Sequence, residues 1–310
     1  MPSLYQRSRR IIDGQMLSRF LLIGTVVLLQ ACSAIKLAYN NAPEFGFWWL
    51  DAYADFNDTQ APAVRTELAR LLQWHRSEEL PKIAELLQKT QRLAAADVTS
   101  TAVCDLFTET RARFNAVTGQ AEKATATLAL SLSPAQIVHM EGKLAKNNKE
   151  WRNDWLQLSG KELFEKRLKA NVERAQEFYG TLEERQLAAV RGALEGSSYD
   201  AQLSYTERLR RQQDLVQTLR QATGAGPGSG SNVAAINRTP AEGQAALRGY
   251  LERANKSPNP AYRAYSDKLI AESCASFTAL HNSTTPEQRE RAVRRLAAYE
   301  RDARDLYSQR

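Results

Sequence analysis

Leu163-Phe-Glu-Lys-Arg-Leu-Lys-Ala-Asn-Val-Glu-Arg-Ala-Gln-Glu-Phe-Tyr179 is the stretch whose reading decides the fold. Phe164, Leu168, Val172, Ala175 and Tyr179 recur every three or four residues, with charges between them. That period is one apolar stripe on a helix, not the alternation of a strand. The same pattern extends outward. Val64, Leu68, Leu71 and Leu72 form one face, and Ile83, Leu86, Leu87 and Leu93 another. Val103, Leu106, Phe107 and Phe114 form a third, and Val293, Leu296, Ala297 and Leu306 the last. Leu80-Pro81 is expected to break or restart a helix, because proline is tolerated only in a first turn. No stretch combines strand alternation with turn signals, so an all-α multi-helix bundle is expected.

One segment departs from this pattern. Thr223-Gly-Ala-Gly-Pro-Gly-Ser-Gly-Ser-Asn232 has the composition of a flexible Gly/Ser-rich loop. It separates a main helical region, 39–222, from a smaller one, 237–310, with 223–236 as linker. The smaller piece would be marginal alone, so packing on the main region is expected.

The N-terminus reads as an export signal. Arg7, Arg9, Arg10 and Arg19 precede an apolar run, Phe20-Leu-Leu-Ile-Gly-Thr-Val-Val-Leu-Leu29, and then Gln30-Ala31-Cys32. The run is too short for a membrane-spanning helix, which needs roughly 20 residues, and fits a cleaved signal. Leu29-Gln-Ala-Cys32 resembles the lipobox of bacterial lipoproteins, in which the cysteine is acylated and becomes the new N-terminus; Gln30 is a less usual occupant. That resemblance implies a signal peptide over 1–31 and a lipid anchor with short tether over 32–38. Ser33, where aspartate would suggest inner-membrane retention, implies the periplasmic face of the outer membrane. A cleaved signal followed by a free cysteine is the alternative.

The formal charge is +7. Removing residues 1–31 takes away four arginines and Asp13, leaving about +4, a mild excess with no basic stripe, so nucleic acid is not an expected partner. If Cys32 is acylated, Cys104 and Cys274 remain as an even pair in an oxidising compartment. A disulfide between them is expected, with two buried thiols as the alternative.

Four helix starts share a local chemistry: Leu132-Ser-Pro-Ala-Gln136, Thr181-Leu-Glu-Glu-Arg-Gln186, Thr239-Pro-Ala-Glu242 and Thr284-Thr-Pro-Glu-Gln288. In the proline cases a serine or threonine caps the first amides, and Gln136, Glu242 and Gln288 fall where they can reach back. Two of these stretches look like the Leu-Thr-x-x-Gln motif of Spy and CpxP, small periplasmic chaperone-like helical proteins. Any Ser-Pro-x-Gln helix start gives such a five-residue match, so plain capping is the expected reading and client binding the alternative.

Longer stretches resemble an uncharacterised family of proteobacterial helical lipoproteins (domain of unknown function 6279). The matching pieces are the lipobox with Leu37-Ala-Tyr-Asn-Asn-Ala-Pro43, Trp48-Trp-Leu-Asp-Ala-Tyr-Ala-Asp-Phe56 and Trp74-His-Arg76 with Leu80-Pro81. Cys104, Leu144-Ala-Lys-Asn-Asn148, Arg208-Leu-Arg-Arg-Gln-Gln213 and Leu280-His-Asn-Ser-Thr-Thr-Pro-Glu-Gln-Arg289 follow in order. The resemblance implies an outer-membrane lipoprotein and carries over no catalytic residue.

Residues 39–58 are the densest aromatic and acidic stretch. Tyr39, Asn40, Asn41, Trp48, Trp49, Asp51, Asp55 and His75 are the binding candidates. They read either as a groove or membrane-proximal surface or as a first helix packed under the bundle. Asp51, Asp55 and Asp58 share a face by helical spacing; a solvated face is expected there, and no metal. His75 is expected to make a structural hydrogen bond, and His281-Asn282 to close a helix. Asn147-Asn148 suggest a kink or a polar contact. Arg208-Leu-Arg-Arg reads as a solvated face that could meet anionic head groups.

No Gly-x-Ser-x-Gly, P-loop, dinucleotide or zinc signature is present. The expected function is therefore a non-enzymatic, membrane-tethered module without cofactor that binds an envelope protein or a cell-wall component. The alternatives are a wall-acting enzyme with a lone glutamate such as Glu44 or Glu150 as general acid, and a chaperone-like cradle.

Overall fold

The computed structural model describes residues 35–224 and 240–309. The signal peptide, Cys32, most of the 223–236 linker and the Thr239 start lie outside the described residues. Those described form eleven α-helices and no strand. After a helical stretch over 35–40 come α1 (Ala42–Ala54), α2 (Gln60–Trp74), a π-helical turn (His75–Glu79) and α3 (Leu80–Ala94). Then follow α4 (Ser100–Leu130), α5 (Pro134–Trp155), α6 (Gly160–Tyr179), α7 (Glu184–Glu195) and α8 (Ala201–Thr223). The C-terminal region supplies α9 (Pro240–Asn255), α10 (Pro260–Asn282) and α11 (Pro286–Ser308).

The α-helix restarts at Leu80 with Pro81 in its first turn, as expected, but the chain's helical course is not broken there. The Leu80 N–H bonds to the His75 carbonyl, five residues back, and the backbone on either side stays right-handed helical. Proline cannot donate to the ladder, and a single wide turn takes up the mismatch.

The apolar stripes meet in three small cores instead of one. The first joins Ala54, Ala126, Ala129, Ile137, Val216, Leu219 and Leu247, from α1, α4, α5, α8 and α9. The second joins Leu168, Ala175, Tyr179, Val190, Leu280 and Ala292, from α6, α7, α10 and α11. The third seats Leu80 and Ala84 of α3 against Ala303 and Leu306 of α11. The 31-residue α4, about 46 Å long at 1.5 Å per residue, runs from the neighbourhood of the second core to the first. Its expected apolar face is only partly used: Phe107 and Phe114 are exposed, because α10 covers the flank that carries Cys104 and leaves those rings outside.

The helix starts do more than cap. Gln60, Gln136, Gln186 and Gln288 each accept, through Oε1, the backbone N–H three residues earlier, at Asn57, Ser133, Glu183 and Thr285. Their side chains then pair. Gln136 donates to Gln60 Oε1 at 2.7 Å and Gln60 donates back at 3.3 Å. Gln186 and Gln288 do the same at 2.7 and 3.0 Å. The second amide hydrogen of each reaches a carbonyl of the opposite turn: Ser131, Asp55, Ser283 and Thr181 respectively. Both donors and both acceptor sites of every amide are used. Each pair thus ties two helix starts together beside one of the first two cores.

The C-terminal region is joined to the rest at several points. Cys104 Sγ of α4 and Cys274 Sγ of α10 lie 2.05 Å apart, at disulfide distance. Asn282 exchanges two hydrogen bonds with the Val98 backbone, at 2.9 and 3.0 Å. Gly243 of α9 sits where an added Cβ would fall 2.3 Å from the Leu130 side chain, so any larger residue would have to displace that leucine at the end of α4.

Candidate functional site

The helical stretch over 35–40 and α1 form one edge of the molecule. α1 contributes Phe47 and Ala54 to the interior, both 5 % exposed. Phe47 is covered by the Arg65 guanidinium, 3.4 Å above its ring, and lies beside Phe56. The opposite side is bare. Phe45, Trp48 and Trp49 are 52, 59 and 63 % exposed. Trp48 leans on Phe45 and Trp49 on Tyr53, with ring centroids 5.8 and 5.1 Å apart. The segment is therefore not packed wholly under the bundle. Phe45 belongs with the two tryptophans, as its spacing of three and four residues would have indicated.

The other candidates separate from that face. Tyr39 and His75 join through the phenol oxygen and Nδ1 at 2.9 Å. Arg76 donates to Asn40 Oδ1 at 2.7 Å, and its guanidinium sits 5.6 Å from the Tyr39 ring centre. Burial lowers the His75 pKa, although Glu79 opposes this, and burial raises that of Tyr39 against the Arg76 charge. These contacts latch the 35–40 helix onto the π-helical turn. Asn41 bonds back to the Leu37 carbonyl. The expected shared face of Asp51, Asp55 and Asp58 does not form. α1 ends at Ala54, and Asp55 adopts a left-handed conformation with φ of 47°. Asp51 Oδ1 instead accepts the Phe56 N–H at 2.9 Å, closing the turn.

The remaining polar motifs are structural. Asn147 donates to the Tyr53 hydroxyl at 2.7 Å, and Asn148 pairs with Gln212 and Arg208 without a break in α5. Arg208-Leu-Arg-Arg is not the freely solvated face expected. Arg210 and Arg211 both grip Glu207, which is 4 % exposed, because α9 and the turn at Ser257 cover that part of α8. Burial would raise the Glu207 pKa; hydrogen bonds from Arg210 and Arg211, the Arg210 charge and the Ser257 hydroxyl outweigh it and hold it below the ordinary range. Glu79, buried, is held by Lys82 and Arg113 at 2.8 and 3.2 Å, and Asp302 lies 3.6 Å from Lys36. Sequence reading found none of these buried carboxylates. Glu44 is partly exposed and 3.4 Å from Arg65, and Glu150 is exposed.

His281 is buried between two partners. Its Nε2 lies 2.9 Å from the Ala96 carbonyl and its Nδ1 2.8 Å from the Tyr179 hydroxyl. A carbonyl can only accept, so Nε2 carries the proton, and in the neutral ring Nδ1 accepts from Tyr179. Burial lowers the His281 pKa and pushes that of Tyr179 up to about 12.

The model of a family of unknown function, DUF6279, matches residues 52–227. The chain belongs to this family. The match begins at the end of α1, after Phe45, Trp48 and Trp49, and runs through α8, which includes the Gln60–Gln136 pair; it stops before the C-terminal region that supplies Gln288 and Cys274. No curated protein and no solved structure matches the chain. Among the described residues no helix is long and apolar enough to cross a membrane.

Proposed function

We propose that this family member is a lipoprotein held by acylated Cys32 on the periplasmic face of the outer membrane. There it serves as a non-enzymatic helical module that binds an envelope protein or a cell-wall component. The observation that carries the reading is the bare aromatic face at Phe45, Trp48 and Trp49, which begins within 13 residues of Cys32. Exposed clusters of large apolar side chains are typical of contact surfaces. The test is crosslinking of the chain in intact envelopes, with the mass of the mature N-terminal peptide read alongside. Diacylglyceryl on Cys32 and a discrete crosslinked partner are the expected result. An unmodified Cys32 ends the tether reading, and absence of any crosslinked partner ends the binding reading.

A second reading is a chaperone-like cradle. It is favoured by the paired turns at Gln60–Gln136 and Gln186–Gln288, in which the stretches ending at Gln136 and Gln288 look like the Leu-Thr-x-x-Gln motif. Its test is suppression of aggregation of an unfolded outer-membrane protein, and no protection at equimolar ratio would end it.

A further inference from the structure

Ala38, Asn41, Ala42, Phe45, Trp48, Trp49 and Ala52 are all exposed and recur at three- and four-residue steps along residues 35–54. The stripe carries no charged residue over its whole length. Of the charges on these two helical segments, Lys36 turns to Asp305 and Asp302, Glu44 to Arg65 and Asp51 to the Phe56 N–H, while Lys143 comes to the rim of the stripe, 5.9 Å from the centre of the Tyr53 ring that packs on Trp49. A surface built for a bilayer boundary needs apolar bulk and tryptophan, whose ring is greasy and whose N–H stays wet. Protein contact surfaces are also rich in aromatic residues and poor in charge at their centre, so a charge-free aromatic stripe fits a protein surface as well as a bilayer surface.

Chain length selects between these occupants. Only two residues stand between Cys32 and the first described helical residue, Ile35. Three extended steps span at most about 10 Å. From Ile35 the chain runs helically to Ala54 with a single turn at Asn41. The tryptophans then lie about 20 Å along a rod whose other end is fixed at the membrane. We infer that the Ala38–Ala52 stripe lies flat on the lipid surface, with Phe45, Trp48 and Trp49 in the interfacial layer. The inference rests on the tether proposed above. The acyl chains and the stripe would then be two attachment points: the diacylglyceryl group holds the chain on the membrane, and the stripe fixes how the helical body faces the periplasm.

The experiment uses the full chain, expressed with its leader, purified from membranes and reconstituted into phosphatidylethanolamine–phosphatidylglycerol vesicles containing acyl-brominated lipid. Tryptophan fluorescence is compared between the wild-type protein and Trp48→Phe/Trp49→Phe, whose circular dichroism confirms the fold. Quenching by brominated lipid is expected in the wild type and absent in the variant, where Trp74, Trp151 and Trp155 remain. Equal quenching in both, or none in the wild type while the mass spectrum shows acylated Cys32, overturns the lipid-facing stripe and leaves the tether standing. A doubled mass with the stripe shielded from aqueous iodide and from brominated lipid assigns the face to a second copy and also overturns it. An unacylated Cys32 removes the tether itself, and with it the orientation inferred here.

Discussion

Gln186 and Gln288 are 102 residues apart in sequence and exchange amide hydrogen bonds, 2.7 Å one way and 3.0 Å the other. Gln186 is wholly buried and Gln288 nearly so. Each also closes its own helix start and reaches a carbonyl of the other's turn, so the pair welds the α6–α7 turn to the α10–α11 turn. Gln60 and Gln136 repeat the device at the first core. Buried networks are stabilising when every member is satisfied and costly when one is removed.

Gln186→Ala should therefore cost about 3 kcal/mol, because it strands the Ser283 carbonyl, the Glu183 N–H and the Gln288 amide. Urea unfolding of both single variants and of Gln186→Ala/Gln288→Ala should show a coupling of about 1–2 kcal/mol. Additive losses would mean that the two side chains act independently.

Reduction should loosen the attachment of the C-terminal region. A Cys104–Cys274 bond spans a separation of 170 residues, which corresponds to roughly 5 kcal/mol in the chain-entropy account. Cys104→Ala/Cys274→Ala should unfold at lower urea concentration than the wild type, and reductant should shift the wild type but not the variant. Equal midpoints with and without reductant would contradict a stabilising bridge.

Stability should decline as pH falls through about 6.5, the ordinary histidine value. Burial lowers the pKa of His281 in the folded chain, so the unfolded chain takes up its proton first and gains in relative stability. The contribution is fully present above the unfolded value and shrinks as pH falls toward the folded one. His75 acts in the same direction. His281→Gln should be less stable at pH 7 and should show a shallower slope between pH 7 and 5, measured by urea midpoints. An unchanged slope would show that His281 protonates without cost.

A second, acid limb should come from α8. The Glu207 pKa is held low despite burial, and that of Asp214 is held low chiefly by its hydrogen bonds from Arg253. Carboxylates of this kind contribute above the unfolded value, near 4, and lose that contribution as pH falls through the folded one. Glu207→Gln should flatten the loss of stability below pH 4 while lowering stability at neutral pH. Thermal unfolding from pH 3 to 7 reads both.

Helix identity and the proline-marked helix starts were legible in the chain alone, because they depend on local period and local capping chemistry; the Cys104–Cys274 pair followed from parity only with Cys32 set aside as acylated. Ser133 with Gln136 and Thr285 with Gln288 announce their turns within four residues. Asn57 with Gln60 was not among the starts read from the sequence, having no proline to mark it. The partners of those glutamines lie 76 and 102 residues away, and no local pattern encodes such distances. Of the aromatic face, Trp48 and Trp49 stood out by type, but Phe45 joined them only through its place on α1, and Asp51 and Asp55 left it because the helix ends at Ala54. The burial of Glu79 and Glu207 was equally invisible, since a glutamate on an amphipathic helix looks solvated until another helix is laid over it. Local sequence thus determined which segments coil and where they begin. Tertiary structure decided which polar side chains lost their water and which aromatic ones kept it, because desolvation depends on what packs overhead and not on neighbours along the chain.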